Sequence, residues 1–229
     1  MSRSTPENLQ VLYEDNHLIA VGKRAGDIVQ GDKTGDTPLS EVVKQYIAVK
    51  YNKPGAVFLG VIHRIDRPTS GIVIFARTSK ALSRMNALFA SGKTNKTYHA
   101  ITQHVPEEAS GTLEHYLERN PQKNKSFAYG KPGGKRKKAV LHYRILRKLE
   151  RHYLWEITLE TGRHHQIRAQ LAALKCPIRG DLKYGAPRSN PDGSIHLHAK
   201  RLTFTHPVAG TEVAIEAPYP DEVLWSACT

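Results

Sequence analysis

The segment His63-Arg64-Ile65-Asp66-Arg67-Pro68-Thr69-Ser70-Gly71 holds the residues best suited to chemistry in this 229-residue chain. A carboxylate stands there with arginines at positions −2 and +1. Nearby cations favour the charged form of an acid, so Asp66 is expected to be ionised at neutral pH and available as a nucleophile. A carboxyl serving as general acid would need the opposite surroundings. Pro68 pushes Arg67 toward an extended backbone and Gly71 permits a sharp turn, so the loop should be stiff. The alternative is an aspartate in a structural ion pair.

A stiff loop needs rigid flanks. Ala56 to Ile62 reads as a short buried strand, and Ile72 to Ala76 as the next. Before them come two short strands across Leu9 to Val21, turning at Asp15-Asn16, and a helix over Ser40 to Tyr51. After them, Ser79 is placed as the N-cap of a helix with Ala81, Leu82, Met85, Leu88 and Phe89 on one face, stopped by Gly92. Lys96 to Thr102 is strand-like, with Tyr98 and Ala100 sharing a face. Val140 to Leu146 and Tyr153 to Leu159 form an antiparallel pair, followed by a helix with Ile167, Leu171 and Leu174 on one side. The tail from Ile195 is again extended. Strands outnumber helices and no internal repeat or linker appears. The expected fold is α+β, a largely antiparallel sheet with flanking helices, in a single domain over 1–229 with its core at about 11–220.

The formal charge is +13, and it is concentrated: residues 123–148 contain ten basic residues and no acidic one. The centre, Gly130-Lys131-Pro132-Gly133-Gly134-Lys135-Arg136-Lys137-Lys138, reads as a loop by composition. A basic loop can follow a phosphate backbone with salt-dependent, sequence-blind affinity. It can equally be a solvated loop. The two cysteines, Cys176 and Cys228, are too few for a disulfide framework or a cysteine-rich zinc module. No apolar run reaches membrane-span length and no apolar signal core opens the chain, so a cytoplasmic setting is expected.

The segment around Asp66 resembles the H-R-L-D-x-x-T-S-G signature of the RluA-type pseudouridine synthases, with Ile65 in place of Leu. Three further stretches follow in that family's order. Leu88-Phe89 with Lys96-Thr97-Tyr98-His99-Ala100 resembles L-F…K-x-Y-x-A. Thr161-Gly162-Arg163-His164-His165-Gln166-Ile167-Arg168 resembles T-G-R-T-H-Q-I-R. Gly180-Asp181-Leu182-Lys183-Tyr184-Gly185 and Leu197-His198-Ala199 resemble G-D-x-x-Y-G and L-H-A.

The resemblance implies isomerisation of uridine to pseudouridine in ribosomal or transfer RNA within a central cleft, without cofactor or metal. It implies Asp66 as nucleophile, with attack on the base or on the sugar left open. Tyr98 would stack on the flipped base, and Arg168 would pair with the catalytic aspartate. Arg64 would lie against the RNA, in the space the base vacates, or tune the charge of Asp66; Arg67 belongs to the same RNA-facing loop. Arg163 and Gln166 stand near a helix start, where they would meet phosphate or serve helix capping and local structure. Lys135, Arg136, Lys137 and Lys138 would add RNA grip. No S4-like RNA-binding module fits in the 65 residues ahead of Asp66. Departures from the family pattern are Lys23-Arg24-Ala25-Gly26 for K-P-x-G, Pro68 and His164 where Asp and Thr are common, and Leu141 for Thr.

Two other classes are weaker. A metal hydrolase could use His164-His165 and His196-x-His198, but H-E-x-x-H and zinc-ligand spacing are missing. A Ser-His-Asp hydrolase would need a G-x-S-x-G elbow, which is absent. The remaining alternative is a non-catalytic RNA-binding protein of the same fold. No membrane or obligate protein partner is indicated.

Overall fold

The structure is a computed structural model that describes residues 3–228. The chain forms two compact units, one from residues up to 94 together with 199–220, the other from 95–198 together with residues from 221 on.

The first unit opens with β1 (Val11–Glu14) and β2 (Leu18–Lys23), an antiparallel hairpin. Asp15 makes its turn, its Oδ1 accepting from the N–H groups of His17 and Leu18 at 2.7 Å each. Next come α1 (Leu39–Lys50), β3 (Gly60–Val61), β4 (Ser70–Ala76) and α2 (Ser79–Ala90). β4 pairs antiparallel with β2 over its whole length, from Leu18↔Ala76 to Lys23↔Gly71. Both strands are buried throughout, because α1 covers one face and α2 the other. Ile19, Val21, Val73 and Phe75 meet Leu39, Val43 and Ile47, while Leu18, Ala20, Ile72 and Ile74 meet Ala81 and Met85. A strand buried on both sides reads as a continuous apolar run, which is the pattern of Ile72 to Ala76. β10 (Leu197–Thr205) and β11 (Glu212–Glu216) pair antiparallel to complete this part of the sheet.

The second unit is built on five strands, β5 (Thr94–Thr102), β6 (Ser110–Asn120), β7 (Lys125–Tyr129), β8 (Lys137–Lys148) and β9 (Tyr153–Leu159), in spatial order β5-β9-β8-β6-β7. Its ladders are antiparallel. One face carries α3 (Gln166–Ala173), whose Ile167 and Leu171 pack into a core with Ala100, Leu141, Trp155 and Ile157. Gln170 is buried inside this packing, its Nε2 donating to the carbonyl of Leu113 at 3.0 Å. A short α4 (Val223–Ser226) follows Glu222, whose carboxylate caps it.

The α+β class and the antiparallel sheet agree with the sequence reading; several details do not. The strand expected over Ala56 to Ile62 shrinks to Gly60–Val61, since Phe58 is exposed and only the end of the segment reaches β4. The α2 cap is Thr78 rather than Ser79: the Thr78 Oγ1 accepts from the Ala81 N–H at 3.1 Å, the usual N-cap to N3 bond. β6, β7 and α4 were not foreseen. The loop read at 130–138 holds over 130–136, but Lys137 and Lys138 already lie inside β8, and β7 precedes it.

Candidate active site

Asp66 sits in a turn closed by the Thr69 N–H, which donates to the Asp66 carbonyl at 3.0 Å. The backbone is pinned from below. The Arg67 carbonyl accepts from the Gly26 N–H at 2.8 Å and from the Lys23 Nζ at 3.0 Å. On the N-terminal side, the His63 Nε2 accepts from the Ile74 N–H at 3.2 Å while its ring stacks on Phe89. On the C-terminal side, Gly71 lies at φ +110°, where an added Cβ would come within 2.3 Å of the Ala199 carbonyl oxygen. Only glycine fits that approach. Asp66 is thereby held half-buried on a fixed main chain, beside an exposed Arg64.

The charges around this turn differ from what sequence adjacency implied. The Arg67 Nη2 donates to Asp36 at 2.6 Å, and Asp36 also takes the Arg3 guanidinium, which holds its carboxyl below the usual range. Arg67, expected at the RNA, therefore has a structural partner. The cation that sequence reading overlooked is Lys23. It is 2% exposed, and its ammonium donates to the carbonyls of Arg24 and Arg67. Its only signal was its place before the Arg24-Ala25-Gly26 turn. That turn lacks the family proline, and the Arg24 N–H, which a proline would not have, donates instead to the buried Asp27 carboxylate at 3.3 Å.

Burial pushes the Lys23 ammonium down to about 7, against the attraction of Asp27 and Asp66. The unfolded chain keeps that proton up to the ordinary lysine range, near about 10.4. Between these values the unfolded state binds more protons, so stability from this group rises with pH. Urea unfolding at pH 7 and pH 9 should show the wild type gaining about 2 kcal/mol relative to Lys23→Met. An unchanged difference would remove Lys23 as a titrating group.

In the second unit, Tyr98 lies mid-way along β5, half-buried and packed against the core under α3. Lys96 shares its face two residues earlier, and burial lowers its ammonium below the usual lysine range. Arg168 is on α3, 5% exposed. Its Nε and Nη2 donate to the two oxygens of Asp181 at 2.7 and 2.8 Å. Asp181, to which the sequence reading gave no role, is 1% exposed.

Gln166 was expected at RNA or in helix capping and local structure, and the bonds its side chain makes are local ones outside the α3 backbone. It is 3% exposed; its Oε1 accepts from the Thr161 hydroxyl and the Arg163 N–H, and its Nε2 donates to the Val140 carbonyl. Arg163 is exposed, with its Nε donating to the Lys138 carbonyl at 3.0 Å. The basic stretch is also less cationic in space than in sequence. β6 lies beside β8 and brings Glu114 within 2.9 Å of Lys138 and Glu118 within 3.7 Å of Arg136. Arg136 also stacks on Tyr129 at 3.7 Å. Lys135 and Lys137 remain exposed.

The histidines invoked for a metal are used locally. The His164 Nδ1 is 2.9 Å from the Ser126 hydroxyl, His165 meets the Tyr184 hydroxyl, and His196 lies between Asn190 and Glu222. Among the described residues no three His, Cys, Asp or Glu side chains gather as metal ligands would.

The family model for RNA pseudouridylate synthase matches residues 17–173, a span that includes the Asp66 turn, Tyr98 and Arg168. The chain belongs to that family, in its RluA-type branch. It is 32% identical to the ribosomal large subunit pseudouridine synthase D of Xanthomonas campestris, over 94% of this chain and 67% of the relative. Against the protein of the same name from Zymomonas mobilis the identity is also 32%, over 94% and 70%. The chain thus spans about two thirds of the length of these relatives. The fold matches a solved structure of human RNA pseudouridylate synthase domain containing 4, with TM-score 0.78 and 24% identity over 96% of this chain and 92% of that one. The synthase is an RNA-modifying enzyme, an isomerase. No helix among its described residues is long and apolar enough to cross a membrane.

Proposed function

We propose that this enzyme converts one or more uridines of ribosomal or transfer RNA to pseudouridine in the cytoplasm, with Asp66 as the nucleophile. Residues 11–220 would act as a single catalytic domain. The N1–C1′ bond of the target breaks, the uracil turns, and C5 bonds to C1′; the C5 hydrogen leaves as a proton and N1 gains one. Asp66 stabilises or bonds the electron-poor intermediate. The target base leaves its stack, with the ring of Tyr98 as the wall it meets. Arg168 supplies positive charge to the aspartate. The reading rests chiefly on the Asp66 turn: a half-buried carboxylate on a main chain tied down from three sides, inside the family signature.

The curated relatives are named for the large ribosomal subunit, which favours ribosomal RNA as the first substrate to examine. Mapping pseudouridine chemically across total RNA, with and without this gene, tests it. The expected result is loss of one or a few sites; an unaltered map would contradict the assignment.

Arg64 and Arg163 are exposed and would contact the RNA backbone with Lys135 and Lys137, while Arg67, Arg136 and Lys138 would contribute less because they already face carboxylates. Neutralising Lys135 and Lys137 to Gln should flatten the plot of log affinity against log salt by about 0.7 to 0.9 for each phosphate that no longer meets a cation. The same change at Arg136 and Lys138 should flatten it less. Equal slopes in all variants and wild type would remove the segment from the RNA interface.

A further inference from the structure

We propose that Asp181 is a positioning residue for the isomerisation, fixing the plane of the Arg168 guanidinium, with the ring of Tyr184 as its floor. The inference deepens the reading above and rests on its assignment of Arg168.

The two bonds from Nε and Nη2 to Asp181 form a planar fork, which sets orientation as well as distance. Tyr184 lies against the same group, its ring centre 5.0 Å from the guanidinium carbon. The ring is itself held, since its hydroxyl accepts from the Ser126 N–H at 2.8 Å and lies 3.0 Å from the His165 Nδ1. Burial and the Arg168 charge push His165 down to about 2, so the imidazole that meets the Tyr184 hydroxyl is neutral.

Asp181 is equally constrained. Its N–H donates to the Ile178 carbonyl, and its carbonyl accepts from the N–H groups of Tyr184 and Ala186, each at 3.0 Å. The preceding Gly180 is at φ +87°, where a Cβ would meet the Asn190 side chain and the Ser194 carbonyl at 2.7 Å. The stretch Gly180 to Gly185 therefore brings acid and ring to one guanidinium. Stability does not explain this arrangement, because a buried ion pair is often no better than apolar residues of the same volume. A fixed guanidinium is what such a pair supplies that apolar packing does not.

The test is a double-substitution cycle of Asp181→Asn and Arg168→Lys, assayed by tritium release from ribosomal and transfer RNA transcribed in vitro with tritium at uridine C5. Asp181→Asn should lower kcat by about 10²-fold, the cost of roughly an ångström of misplacement, with KM changed less than about threefold. In the Arg168→Lys background, which lacks the fork, the same substitution should cost less than about threefold more. An unchanged kcat, or a full multiplicative loss in the double variant, overturns the inference. If circular dichroism shows Asp181→Asn unfolded, Asp181→Glu, which keeps the charge but displaces the fork, takes its place under the same criteria. Asp66→Asn is assayed alongside. Turnover retained there overturns the proposed role of Asp66, whereas an inactive Asp66→Asn beside a fully active Asp181 variant overturns only the role of Asp181.

Discussion

Asp66→Asn should fold, bind RNA and form no measurable pseudouridine, with kcat down by more than about 10³-fold. Asparagine keeps the shape of the side chain but neither its charge nor its nucleophilicity. The main-chain bonds that hold the turn come from Thr69, Gly26 and Lys23 and do not use the carboxylate, so the substitution leaves them in place. Stability measured by urea unfolding should stay within about 1 kcal/mol of wild type. RNA affinity should change little, because phosphate contacts dominate it. Tritium release from C5-labelled RNA reads the activity, and turnover within tenfold of wild type would exclude Asp66 as nucleophile.

Arg168→Met should destabilise the protein by about 3 to 5 kcal/mol, because it strands the carboxylate of Asp181 in a site only 1% exposed. The loss comes from the charge left behind more than from the bonds removed. Adding Asp181→Leu should therefore recover much of the stability while leaving the enzyme inactive. Equilibrium urea unfolding of both variants and the wild type measures the first effect, and the tritium assay the second. If Arg168→Met were as stable as wild type, Asp181 would have to be neutral or otherwise compensated. If the double variant were active, Arg168 would have no part in the chemistry.

Local rules carried the sequence reading a long way in the first unit. Asp15 turning β1 into β2, the unbroken apolar run of β4 and the spacing of Ala81, Met85 and Phe89 on α2 follow from interactions within a few residues. The motifs around Asp66, Tyr98 and Arg168 were legible too, because each is a short contiguous string. Strands β6 and β7 escaped notice because their polar, basic and glycine-rich surroundings look like loop, and β8, which pairs with β6, is distant in sequence. Thr78 displaced Ser79 as the α2 cap by a single bond that either residue type could make.

By itself the chain determined the reaction class and supplied the candidates for nucleophile and supporting residues, since those are properties of side-chain type and order. Folding decided which charges meet. Asp36 takes Arg67, Glu114 and Glu118 offset Lys138 and Arg136, Lys23 enters the base of the Asp66 turn, and Asp181 grips Arg168. The reason is range. Secondary structure and motif chemistry are set by neighbours along the chain, whereas a Coulomb interaction depends on separation in space and on how much water has been removed.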